Sequence, residues 1–336
     1  MRILITGSSG HLGEALVREL GGEGHDVVGL DILSADTTTV TGSISDRGAV
    51  RRAIEGMDAV IHAATLHKPH VATHSKQKFV DTNITGTLTL LEEAVRAEVS
   101  RFVFTSTTSS FGNALRPEQP NAAVWVTEDL APIPRNIYGV TKTAAEDICQ
   151  LVAEEHGLPC VVLRTSRFFP EADDMKHTMD DFADANIKAN EYLYRRVDIA
   201  DVVSAHRCAL ERAPQIGFGR FIISATTPFR RDDCKALIED APAVVSRDFP
   251  DYEDVYARIG WKMFRAIGRV YVNDRAREQL GWSPRYDFAH VIESLRTGDS
   301  PLSPLARAIG SKGYHRPRLS RESASRDPPV PKEGSR

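Results

Sequence analysis

The stretch ILITGSSGHLGEAL, residues 3 to 16, passes from an apolar strand pattern through three glycines into a helical pattern. Gly7, Gly10 and Gly13 form a G-x-x-G-x-x-G array at that junction. The first glycine permits a tight turn, the second lets the backbone approach a diphosphate, and the third lets the helix pack closely. The N–H groups at the start of the helix are left unpaired and face an anion. His11 and Leu12 sit inside the same junction and are counted with the glycines as cofactor contacts. The next apolar run, HDVVGLD, ends in Asp31, about where an acid meets the adenosine ribose hydroxyls of a bound dinucleotide. An acid there repels a 2′-phosphate, and ILSADTTTV (32 to 40) supplies no Lys or Arg, so NAD is expected rather than NADP. In GSISD, residues 42 to 46, Ile44 and Asp46 are expected beside the adenine.

Working outward, RILIT, DVVGLD, DAVIHAA, RFVFTS and PCVVLR are near-continuous apolar runs, as parallel strands covered on both faces require. Helical spacing lies between them, at Leu12, Ala15, Leu16 and Leu20, at 83 to 98 and at 139 to 156. This alternation predicts an α/β fold, a doubly wound parallel sheet over residues 1 to 165, with 196 to 226 returning to it. Residues 166 to 298 predict a smaller, interleaved C-terminal region for the substrate. From residue 299 the composition turns to Ser, Pro, Arg and Gly, which predicts a mobile tail to residue 336.

With 41% hydrophobic and 26% charged residues and a formal charge of −4, the chain has no field to attract nucleic acid or an anionic membrane. A small molecule is the expected partner. Cys149, Cys160, Cys208 and Cys234 lack C-x-x-C spacing, against both a disulfide framework and a thiolate metal site. His67, His70 and His74 have no flanking Cys or carboxylate, and no metal is expected. No apolar run is long enough to span a bilayer, and the chain opens directly on a strand, so a cytoplasmic location is expected.

NIYGVTKTAAED, residues 136 to 147, sets Tyr138 four positions before Lys142 after a helix-entry signal. Four residues along a helix return to the same face, so both groups can address one ligand. A phenol has a pKa near 10, and a neighbouring cation favours its ionised form. Such a phenolate can take the proton of an alcohol whose carbinol hydride leaves for a nicotinamide. RFVFTSTTSSFG ends in hydroxyls at the carboxyl edge of the expected sheet, where ligands of open α/β folds gather.

The glycine array, Asp31, HAA at 62 to 64, Asn83, TSTTSSFG, YGVTK and LGWSP at 280 to 284 together resemble the extended short-chain dehydrogenase/reductase superfamily, within its NAD-dependent epimerase/dehydratase group. The resemblance spans about residues 1 to 295 and implies a Rossmann sheet. It implies that Tyr138 is the catalytic acid/base, that Lys142 holds the nicotinamide ribose and lowers the Tyr pKa, and that Thr107 hydrogen-bonds the reacting oxygen. Asn83 matches a residue near the active site, and Ala63 and Ala64 match a pair lining the cofactor groove. The helices at 83 to 98 and 139 to 156 resemble those that pair across a dimer, which implies a homodimer.

Two departures bear on the reaction. Dehydratases of the family carry an Asp-Glu pair after this Thr; here Thr108 and Ser109 stand there, so elimination lacks its proton carriers. Epimerisation with retained NAD and net oxidation or reduction both remain open. The family Asn after the CVVLR strand is also absent from RTSRFFPEADD. Arg164, Arg167, Arg195 and Arg196 are candidate clamps for a diphosphate or carboxylate, while Glu171, Asp173, Asp174, Asp180, Asp181 and Asp184 are either a solvated loop or a surface for an amine. His67, Thr108, Ser109, Arg167, Phe169 and Arg196 are the expected substrate contacts. The leading expectation is an NAD-dependent oxidoreductase or epimerase of a sugar-like secondary alcohol. A dehydrogenase or reductase of a non-nucleotide substrate, with or without an amine, and a non-catalytic NAD-sensing scaffold are the alternatives.

Overall fold

Strand β1 (Arg2–Thr6) shows why the sheet is central: Ile3 and Ile5 point into one apolar cluster and Leu4 into another, the period-two alternation of a strand covered on both sides. In the computed structural model, which describes residues 1–116, 121–171 and 180–313, this pattern repeats along a seven-stranded sheet. Its members are β1, β2 (Asp26–Asp31), β3 (Val40–Thr41), β4 (Ala59–His62), β5 (Arg101–Thr107), β7 (Cys160–Thr165) and β8 (Phe218–Ile223). The order is β3-β2-β1-β4-β5-β7-β8 and every pairing is parallel.

Parallel neighbours need crossovers, and the helices that supply them cover the two faces. His11–Gly22 and Ile199–Ile216 bury Leu12, Leu16, Val202 and Leu210 in the cluster that takes Ile3 and Ile5. Arg47–Ile54, Gly86–Arg96 and Ile137–His156 bury Val50, Leu90, Leu91 and Ala145 in the cluster that takes Leu4. The strand order reverses between β1 and β4, so a crevice opens at their carboxyl ends, beside Gly7 and Ala63.

A third cluster, around Leu193, Leu237, Tyr256, Val270 and Phe288, lies mostly in the later chain. There a short parallel pair, β6 (Val124–Val126) and β9 (Arg269–Tyr271), brings distant segments together.

The stretch from residue 299, expected as a mobile tail, begins instead with a helix, Pro304–Ile309. Ser303 caps it, and Ile309 is buried in the first core cluster with Leu305 and Ala306 packed against it. Its few apolar residues are enough because they fall on one face. Residues from 314 lie outside the described residues.

Candidate active site

The turn after β1 is built so that nothing larger than hydrogen fits. Gly7 has φ +73°, and a Cβ there would lie 2.8 Å from Ala64 Cα. A Cβ on Gly13 would lie 1.9 Å from the Gly7 carbonyl oxygen. Gly10 is the N-cap of His11–Gly22 and offers no side chain to the helix N–H groups. At the end of β2, Asp31 accepts hydrogen bonds from Ser9 N at 3.0 Å and Leu33 N at 2.9 Å, which aims its carboxylate beside the glycine turn. A bare helix N-terminus for a diphosphate next to a fixed carboxylate for ribose hydroxyls fits NAD.

A cavity of about 730 Å³ runs from this turn along the carboxyl edge of the sheet. Gly7, Gly10, His11, Leu12, Gly13 and Asp31 line one end, with Ile44, Ala63 and Ala64. Thr107, Thr108, Ser109 and Tyr138 line its middle, and His67, Arg167 and Phe169 complete the expected residues on its wall.

Tyr138 stands in the first turn of Ile137–His156, whose N-cap, Asn136, accepts from Gly139 N at 3.0 Å. It is 8% exposed and faces the cavity. Thr107 ends β5, and its Oγ1 accepts from Ser109 N at 3.1 Å, so the hydroxyl proton is directed elsewhere.

Lys142, Asn83, Asp46 and Arg196 do not line the cavity. Lys142, expected at the nicotinamide ribose, is 2% exposed; its Nζ donates to the Thr105 carbonyl at 2.7 Å. Burial lowers its pKa from 10.5 to about 7, against the opposing pull of Glu146. Asn83 instead joins elements. Its Oδ1 accepts from Leu66 N at 2.8 Å, and its Nδ2 donates to the Leu66 carbonyl at 2.9 Å and to Thr141 Oγ1 at 3.0 Å. It ties the loop after β4 to the helix carrying Tyr138, from a π-helical stretch, Val80–Thr85, that interrupts its own helix. Asp46, expected beside the adenine, caps Arg47–Ile54 through Gly48 N and Ala49 N at 2.9 and 3.3 Å, a use a short carboxylate serves well. Arg196, expected at the substrate, pairs with buried Glu191 at 2.8 Å and donates to the Phe169 carbonyl at 2.6 Å. Arg164 is likewise paired with buried Glu146 at 2.7 Å.

Sequence reading missed Arg116, Arg135 and Arg269, which line the cavity with Arg167 and Arg195. No local motif marks them; β9, which carries Arg269, pairs with β6 and is tied to the Tyr194 carbonyl by Tyr271 N at 3.0 Å. Among the described residues, Asp31 and Glu171 are the acids on the wall, and neither adjoins Thr107. Of the acidic run, Asp173 and Asp174 lie outside the described residues, Asp180 and Asp181 are exposed, and Asp184 pairs with Lys188. No set of three His, Cys, Asp or Glu among the described residues is arranged to hold a metal ion.

Residues 3–220 match the NAD dependent epimerase/dehydratase family. The chain is 33% identical over 196 residues to L-arabinose 1-dehydrogenase (NAD(P)(+)) of Haloferax volcanii, covering 54% of this chain and 72% of that protein. It is 26% identical over 332 residues to UDP-glucose 4-epimerase of Streptomyces lividans, covering 87% and 94%. Its fold is shared by a short-chain dehydrogenase/reductase superfamily protein of Agrobacterium tumefaciens solved with bound NAD, at a TM-score of 0.63 and 22% identity, covering 92% of this chain and 99% of that one.

Proposed function

The chain belongs to the NAD dependent epimerase/dehydratase family and is an NAD-dependent enzyme, and from that premise we propose that it oxidises a secondary alcohol on an anionic sugar derivative. The observation that carries the substrate reading is that Arg116, Arg135 and Arg269 line the same cavity as Tyr138, beside Arg167 and Arg195, which also meet Glu191. Guanidinium groups suit a carboxylate or phosphate and disfavour an amine. The named relatives act on L-arabinose and UDP-glucose, which supports a sugar or sugar nucleotide. The substrate sits between the sheet unit (1 to 165 with 196 to 226) and the 166 to 298 region, whose β9 supplies Arg269.

NAD, when bound, supplies the hydride acceptor. Tyr138 removes the proton of the substrate hydroxyl through its phenol oxygen, held by the first turn of its helix. Thr107 donates its hydroxyl hydrogen to the same substrate oxygen, since its own lone pair already serves Ser109 N. Lys142 in its protonated state lowers the phenol pKa from the next helical turn, and Asn83 fixes that helix through Thr141. With Thr108 and Ser109 on the wall and, among the described residues, no carboxylate beside Thr107, elimination of water lacks a carboxylate pair to carry its protons.

Leu88, Val140 and Leu151 are exposed on the two helices expected to pair, which supports a homodimer. A cytoplasmic setting suits NAD dependence and the four free cysteines.

The test is a panel of neutral sugars, amino sugars, uronic acids and nucleotide sugars with NAD, read at the NADH absorbance band and by product analysis. Turnover of acidic or phosphorylated sugars is expected, NADH accumulation marking net oxidation and an isomer without NADH marking epimerisation. Preference for neutral or amino sugars would remove the anionic reading.

A further inference from the structure

The helix expected to receive the cofactor diphosphate carries a carboxylate of its own. Glu14 follows Gly13 in the first turn of His11–Gly22 and is only 7% exposed. Its Oε1 meets the guanidinium of Arg18, whose side chain is 52% exposed. Its Oε2 meets the ammonium of Lys312, from the far end of the described chain. The same C-terminal stretch engages a second acid on the cavity wall: Glu171 Oε1 accepts from Ser311 Oγ at 2.8 Å and from Gly313 N at 3.1 Å.

This stretch is anchored rather than laid loosely on the surface. Ser303 N donates to Asp198 Oδ2 at 3.2 Å, and Ile309 sits in the core cluster that backs His11–Gly22. The contacts at Glu14 and Glu171 therefore have a fixed base.

We propose that Lys312 is a positioning residue of the dinucleotide site, neutralising Glu14 so that the helix N-terminus accepts a diphosphate. A lone carboxylate in the first turn cancels part of the positive end of the helix dipole that attracts an anion. Arg18, half in water, compensates it weakly because exposed pairs are screened. Lys312 completes the compensation, and Ser311 and Gly313 hold Glu171 in place through hydrogen bonds. A segment that composition marks as a tail thus sets cofactor affinity.

The proposal rests on NAD as the cofactor, and the wild-type titration tests that premise separately: failure to bind NAD there would sink the functional reading itself. NAD and adenosine are titrated calorimetrically into wild type, Lys312→Ala, Glu14→Gln and the double variant, and into the chain truncated after Gly310. Lys312→Ala should weaken NAD about fivefold, more at low salt, and leave adenosine, which lacks the diphosphate, unchanged. The truncated chain should show the same NAD-selective loss. Glu14→Gln should bind NAD at least as well as wild type, and the double variant should recover wild-type affinity. Equal losses for NAD and adenosine, an unaltered NAD affinity in Lys312→Ala, or no rescue by Glu14→Gln would overturn the proposal.

Discussion

The ammonium of Lys142 lies 3.8 Å from the centroid of the Phe104 ring, packed against an aromatic face instead of water. Burial is the main reason its pKa falls from 10.5 to about 7, with Glu146 opposing the fall. Between those two values the unfolded chain holds a proton that the folded chain has released, so unfolding free energy rises with pH across the window. Below about 7 both states are protonated and this group contributes no slope. Urea midpoints measured across this range should climb in wild type and climb less in Lys142→Met.

Tyr138→Phe keeps the ring and loses the proton carrier. Turnover should fall by about 10³-fold or more while the NAD dissociation constant stays within about twofold. Stopped-flow hydride transfer and an NAD titration on the same sample separate the two; undiminished turnover would remove Tyr138 from the chemistry.

Asp31→Ala removes the acid that faces the cofactor cavity and that is fixed by Ser9 N and Leu33 N. NAD should bind about tenfold more weakly and NADP should gain on it, because a 2′-phosphate no longer meets a carboxylate. Parallel titrations of the two cofactors decide it, and tighter NADP binding in wild type would contradict the assignment.

Gly13→Ala would place a methyl group 1.9 Å from the Gly7 carbonyl oxygen, so the first turn of the helix must move. Loss of about 2 kcal/mol of stability is expected, together with loss of NAD-induced stabilisation. Thermal melts with and without NAD read both effects, whereas Gly21→Ala, whose Cβ meets nothing within 4 Å, should do neither.

Glu191 is 1% exposed and receives Arg195 at 2.7 Å and Arg196 at 2.8 Å, with Arg167 at 3.7 Å. These cations hold its carboxyl below the ordinary range against the opposing effect of burial. Glu191→Gln leaves buried guanidinium charge uncompensated and should cost about 3 kcal/mol or more in denaturant unfolding. Because Arg196 serves this cluster, Arg196→Ala should lower stability more than it raises KM for substrate.

By itself the sequence determined the sheet and the glycine turn with Asp31 that line one end of the cavity. A turn that admits only glycine, an acid at the end of the next strand, and apolar runs covered on both faces are constraints satisfied within a few neighbouring residues, so they are written in local order. What tertiary structure decided is everything that depends on distant partners. Asp46 and Arg196 look like ligands in sequence, but a helix N-terminus and the carboxylate of Glu191 take them. Arg269 is placed at the cavity by long-range pairing of its strand with β6 and with Tyr194, and Lys312 meets Glu14 across 298 positions of chain. Composition averaged over residues 299 to 336 also hides Leu305, Ala306 and Ile309, whose common helical face is enough to dock that stretch. The physical reason is the same in each case: a charged side chain is committed by whichever opposite charge or unpaired backbone group the fold brings to it, and that neighbour is not adjacent in sequence.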